Sequence, residues 1–198
     1  MVTAPASGRL PSPFFFHRTT LEADAMRVLA IDPGTIKMGY GFLTSEPATE
    51  VVDYGVVTLS RYMDIEDRLF QLFTHIGNMI SVFNPDVVAV EEPFIGRGER
   101  QFIGPAIAVG QAQALVLIGA ASAGIPVHRY SPAEVKRAVA DYGAATKDQM
   151  QRALAATLGL ASLPESDAAD ALSVGLCHLI HTNATSALSR EISPGSER

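Results

Sequence analysis

The sequence predicts an α/β domain built on a five-stranded mixed sheet, three antiparallel strands followed by parallel additions, with helices on both faces. Two observations carry that prediction. Of the 198 residues, 47% are hydrophobic and only 18% charged, enough apolar side chain for one sizeable core. Short strand-like runs come first, and segments of helical spacing then alternate with further strands in the order β-β-β-α-β-α-β-α-α-α.

The elements follow in chain order. Arg27 to Ile31 is a short apolar run suited to a central strand; Met38 to Thr44 and Val51 to Leu59 alternate like a second and a third, a meander. From Asp64 to Phe83, Ile65, Leu69, Leu72, Phe73, Ile76, Met79, Ile80 and Phe83 recur at helical spacing until Asn84-Pro85 stops the pattern. Val87 to Val90 is a buried strand closed by Glu91. A glycine- and arginine-containing loop, Phe94 to Gly104, leads into an Ala/Gly-rich helix ending near Gly124. Pro126 to Tyr130 is the fifth strand. Ser131 with Glu134 and Thr146 with Gln149 have capping-box spacing and open helices over about Pro132 to Ala140 and Lys147 to Leu158. A last helix is expected from about Asp167 to Ile180, with His178 as a cation near its negative end.

The domain is expected over residues 26–182. Met1 to Ala25, with three prolines and Ser/Thr/Ala filler, reads as a disordered extension without signal-peptide design; a start assigned upstream of Met26 is the favoured explanation. Residues 183–198 read as a flexible tail. The single Cys177 excludes an intrachain disulfide and, with no zinc-spaced Cys/His cluster, points to a cytoplasmic protein. No membrane span is expected, because Gln111, Gln113 and interspersed glycines break the one long apolar stretch. A net charge of −6 argues against a nucleic-acid partner unless the bases concentrate at one place.

Four carboxylates stand out. Asp32 directly follows the first strand and precedes the turn Pro33-Gly34-Thr35, and Glu91 closes the fourth strand in the same way. If those strands are neighbours, the two anions meet at one sheet edge, an arrangement very costly without a cation. Asp167 and Asp170, three apart on a helix, share a face, and the intervening alanines let that helix lie close to the sheet. Alone, the aspartate pair is explained as well by helix-start electrostatics. With Asp32 and Glu91, the set suits hard cations, Mg²⁺ or Mn²⁺. Two such ions about 3.5–4 Å apart support phosphodiester hydrolysis without a protein nucleophile. Asp32, central among the strands, is expected to be shared between them.

Ile31-Asp32-Pro33-Gly34-Thr35 with Gly39-Tyr40-Gly41, then Val90-Glu91-Glu92-Pro93-Phe94, then Asp167-Ala168-Ala169-Asp170-Ala171-Leu172 resemble, in order and spacing, the bacterial RuvC Holliday-junction resolvases. The similarity spans roughly Met26 to Thr182. It implies an RNase H-like fold, a homodimer, Mg²⁺ or Mn²⁺ dependence, and paired symmetric nicks in a four-way DNA junction. It also implies work beside the RuvA and RuvB branch-migration proteins. Through it, Phe94 is expected to stack on an unpaired base, and Lys136 and Lys147 to lie near the scissile phosphate and backbone. Arg97 and Arg100 form a basic loop beside Glu91, so the bases gather where the acidic chain must meet DNA.

Three rival readings share parts of this pattern. An actin- or sugar-kinase-like ATPase also uses Asp-x-Gly-Thr but needs two lobes. An RNase H-like nuclease acting on RNA shares the carboxylates, and a non-catalytic junction-binding module shares the fold. His178 lies about 12 Å along the helix from Asp170 at 1.5 Å per residue, too far to share a metal.

Overall fold

The computed structural model describes residues 25–45, 48–92, 103–140 and 146–192. The expected N-terminal extension therefore lies outside the described residues, apart from Ala25.

Strand β1 (Arg27–Asp32) occupies the centre of a five-stranded sheet of order β3-β2-β1-β4-β5. It runs antiparallel to β2 (Lys37–Thr44), which pairs antiparallel with β3 (Glu50–Thr58). On its other side β1 is parallel to β4 (Val87–Glu91), and β4 is parallel to β5 (Val127–Tyr130). The meander and its parallel additions stand as the sequence predicts. β1 and β4 are covered on both faces, which is why Val28 to Ile31 and Val87 to Val90 are continuous apolar runs.

Alternation along these strands builds two cores. Leu29, Ile31, Met38, Phe42 and Val88 point to α1 (Ile65–Phe83) and α2 (Ile103–Ser122), meeting Leu72, Ile76, Ile80 and Val116. Val28, Ala30, Leu43, Val87 and Ala89 point the other way, to α5 (Ser166–Ile192) and α3 (Pro132–Ala140), with Leu154 of α4 (Lys147–Thr157) behind them. The helix stops follow local chemistry. Asn84 takes the left-handed conformation, φ 45°, and returns its N–H to Ile80 before Pro85. Both capping boxes form: Glu134 accepts from the Ser131 N–H and hydroxyl at 2.8 and 2.6 Å, and Thr146 and Gln149 cap α4 reciprocally.

Helix α5 is where the structure departs from the sequence reading. It continues to Ile192, through the segment read as a tail. The Ser/Thr content that suggested fraying is compatible with helix here, because Thr182 and Thr185 turn their hydroxyls onto the carbonyls of His178 and His181. The first strong stop in the sequence is Pro194-Gly195.

That extension also overturns the reading of His178 as a helix-end cation. His178 is 3% exposed, mid-helix, with Nδ1 2.7 Å from the Tyr130 hydroxyl and its ring against His128 and Tyr130. Burial, then the neighbouring His128 and His181, push its pKa down to about 4, so it is neutral. Burial likewise pushes the Cys177 thiol up to about 12, leaving an inert core side chain.

Candidate active site

Register and alternation bring Asp32 and Glu91 together. Ile31 pairs with Val90, so the next residues, Asp32 and Glu91, end adjacent parallel strands at the same level. Val28 and Ala30 face α5, so Asp32 does; Val87 and Ala89 face α5, so Glu91 does as well. The convergence expected from strand ends alone is thus realised. Glu92, on the opposite phase, is exposed and gives its N–H to the Tyr130 carbonyl.

Helix α5 lowers its first turns onto this edge. Gly39 is the register partner of Asp32, and a Cβ there would run into the backbone carbonyl of Asp167; at Gly41 a Cβ would stand 2.6 Å from Leu172 Cδ2. Those absent side chains, with the buried Ala168, Ala169 and Ala171, let the helix approach β2 and β1 at backbone distance. Asp167 and Asp170 are thereby set above Asp32 and Glu91.

The electrostatics record that gathering. Burial first, then Asp170, Glu91 and Asp167, raise the Asp32 pKa to about 7, against a smaller lowering by Lys147. Burial and Asp170 raise Glu91, opposed by Lys136 and Lys147. The two α5 carboxylates are met by lysines: Lys147 Nζ lies 3.0 Å from Asp170 Oδ2, and Lys37 Nζ lies 3.9 Å from Asp167 Oδ2. Among the described residues no three His, Cys, Asp or Glu side chains already form a metal-holding group. The donor chemistry nonetheless fits a hard divalent cation. It offers oxygen alone, and the unbalanced negative charge at Asp32 is what such a cation would neutralise.

A cavity of about 250 Å³ opens beside the carboxylates, with Glu91, Lys136, Lys147, Asp170 and Ser173 among its walls. Lys136 and Lys147 both line this cavity beside Glu91 and Asp170. Lys147, which sits poorly in a first helical turn by dipole logic, is explained by its carboxylate partner. Phe94, Arg97 and Arg100 lie outside the described residues. Two contacts escaped the sequence reading: Lys37 at Asp167, and the Gln113 side-chain amide, which donates to the Glu91 carbonyl at 3.4 Å. Alternation puts Lys37 on the face of Gly39, but placing it at the carboxylates needs the register that pairs Gly39 with Asp32.

The β3-β2-β1-β4-β5 sheet, with helices on both faces and carboxylates on its central strand ends, defines an RNase H-like nuclease domain. Comparison with known proteins narrows the class. The chain belongs to the RuvC family: the model for crossover junction endodeoxyribonuclease RuvC matches residues 28–178. The crossover junction endodeoxyribonuclease RuvC of Chloroflexus aurantiacus is 44% identical over 143 residues, 72% of this chain and 85% of that protein. That of Syntrophomonas wolfei is 40% identical, over 72% of this chain and 81% of its own length. The structure of T. thermophilus RuvC in complex with Holliday junction substrate superposes with a TM-score of 0.74 at 32% identity, covering 81% of this chain and 96% of that one. The yeast mitochondrial Holliday junction resolvase Ydc2 shares the fold, with a TM-score of 0.57 at 15% identity over 85% of both chains.

Proposed function

We propose that this chain is a structure-selective DNA endonuclease that resolves Holliday junctions by paired symmetric nicks, in recombination and DNA repair. The observation that carries the reading is the pairing of Asp32 and Glu91 on one sheet face beneath the Asp167 and Asp170 turn of α5. Asp32, Glu91, Asp167 and Asp170 would hold two Mg²⁺ or Mn²⁺ ions. When bound, such ions supply an activated water and charge stabilisation for in-line phosphodiester hydrolysis. The protein's own part is positional. The sheet fixes two carboxylates, α5 fixes two more, and Lys136 and Lys147 place positive charge in the adjoining cavity for the phosphate backbone. Phe94 is assigned to stacking at the junction centre, and Arg97 and Arg100 to backbone contact.

A homodimer suits a substrate with two-fold symmetry. The surface proposed for it is α2, which carries no charged residue from Ile103 to Ser122 and exposes Ile107 and Ile118. Work beside RuvA and RuvB in the cytoplasm completes the reading. No described helix is long and apolar enough to cross a membrane.

The deciding experiment offers an immobile four-way DNA junction and an RNA–DNA hybrid in parallel, each with Mg²⁺ and with Mn²⁺. Symmetric nicks in the junction are expected. Preferential cutting of the hybrid would replace the DNA reading with an RNA one.

A further inference from the structure

We infer that Lys37 is a DNA-contacting residue of this site, binding a backbone phosphate on the β2 flank of the carboxylates. The inference rests on the junction-nuclease reading above and adds a residue to it.

The chain has three lysines, Lys37, Lys136 and Lys147, among its 15 basic residues. Lys136 and Lys147 line the cavity beside Glu91 and Asp170, on the β4, α3 and α4 side of β1. Lys37 comes to the carboxylate group from the other side, at the start of β2, and places Nζ 3.9 Å from Asp167 Oδ2, the helix aspartate that Lys147 does not bond. All three lysines of an otherwise arginine-based cation set thus belong to one site.

The root of Lys37 is firmly held. Gly39 and Gly41 face α5, so Lys37, on the same phase of β2, faces it too. The turn after Asp32 folds back so closely that a Cβ at Gly34 would strike the Lys37 carbonyl, and the Leu59 N–H bonds the neighbouring Ile36 carbonyl at 2.8 Å. Its ammonium group, by contrast, is free to swing, with the side chain 51% exposed.

Stability does not account for this arrangement. An exposed ion pair at 3.9 Å contributes little to stability, and less in salt. Nor is Lys37 needed to neutralise Asp167 once a divalent cation is bound there, because the ion then supplies the positive charge and repels the ammonium. What remains is a mobile cation on a fixed root at the mouth of the site. A polyanionic strand crossing four carboxylates in a chain of net charge −6 requires positive charge on both flanks, and Lys37 supplies the flank that Lys136 and Lys147 leave bare.

The test measures binding of a synthetic four-way junction across a salt series, with Ca²⁺ replacing Mg²⁺, for wild type, Lys37→Gln, Lys37→Arg and Lys147→Gln. Losing one phosphate contact should make the slope of log affinity against log salt shallower by about 0.9. We expect that change and severalfold weaker binding in Lys37→Gln, with the wild-type slope retained in Lys37→Arg. An unchanged slope in Lys37→Gln beside a shallower one in Lys147→Gln overturns the inference and leaves the nuclease reading intact. Wild-type protein that binds the junction no better than linear duplex overturns the reading beneath it.

Discussion

Two carboxylates of the site come from the sheet and two from a helix, and the protein treats the pairs differently. Asp32 and Glu91 are fixed by strand register, half-buried, and pushed up in pKa first by burial and then by Asp170 above them. Asp167 and Asp170 occupy the more open side, each within reach of a lysine. The sheet pair is thus rigid and under electrostatic stress, whereas the helix pair is relieved by side chains that can move away. A site of this construction stores its demand for cations in the strands and its adaptability on the helix.

The largest test of that division is Asp32→Asn. Losing the central carboxylate should lower junction cutting by about three orders of magnitude, some 4 kcal/mol of transition-state stabilisation, while junction binding persists. Unchanged metal-dependent cutting would break the mechanism. The same variant should be the more stable protein without metal. A carboxyl raised from 3.8 to about 7 takes up protons more readily when folded, so stability is present at low pH and is lost as pH rises through that window. The full loss amounts to about 4 kcal/mol above pH 7, and Asp32→Asn should abolish it. Urea melts of metal-free wild type and Asp32→Asn from pH 4 to 8 measure that slope as the difference between the two proteins.

Next in size is Gly39→Ala, which attacks the joint between the two pairs. A methyl group there meets the Asp167 carbonyl, backbone against backbone with no flexible side chain to yield, so α5 must shift away from β2. A stability loss of about 2–3 kcal/mol and a cutting loss of about a hundredfold are expected, the latter because a displacement near 1 Å ruins alignment. Near-native cutting would show that the helix carboxylates need not be held so closely. Lys147→Gln is milder. Removing the 3.0 Å partner of Asp170 should slow cutting about tenfold through lost phosphate contact, with little change in melting temperature. A large melting change would instead make that ion pair structural.

The same division decides what could be read without a structure. The strand pair was legible because a charged residue closing a fully apolar run has few explanations. The antiparallel meander and its parallel additions follow from the order of the elements, and both capping boxes announce their helices locally. The far end of α5 was not legible, since Thr182 and Thr185 favour tails and caps on average and remain helical here by bonding the preceding turn. His178 was misread for a related reason: its neutrality is set first by burial and then by the facing His128, both tertiary. Lys37 required knowing that Gly39 pairs with Asp32, a matter of register that periodicity does not give. Asp167 and Asp170 lie between these cases, with the sequence placing them on one helix face and the packing of small residues placing that face on the site.

The smallest effect on catalysis is expected at the other end of α5, where Tyr130 and His178 join the helix to β5. Burial holds the Tyr130 hydroxyl up at about 12, so it stays protonated; it shares a hydrogen bond with His178 Nδ1 at 2.7 Å, and Nε2 lies 3.5 Å from the Thr182 hydroxyl. The folded pKa near 4 lies below the imidazole's 6.5, so this histidine contributes stability in full above pH 6.5 and loses it as pH falls toward 4, by about 3 kcal/mol in all. That slope opposes the one from Asp32 over the same range. The two slopes therefore partly cancel in metal-free wild type between pH 4 and 6.5, and Asp32→Asn should shift the balance toward a rise with pH. Tyr130→Phe leaves His178 Nδ1 without its hydrogen-bond partner, costing about 1–2 kcal/mol in a melt at neutral pH. Cutting of the junction by the folded variant should stay within about twofold of wild type, because the bond lies some two helical turns from Asp170. A tenfold fall in cutting would mean that the far end of α5 also sets the position of the helix carboxylates, and the separation between the two pairs would extend along the whole helix.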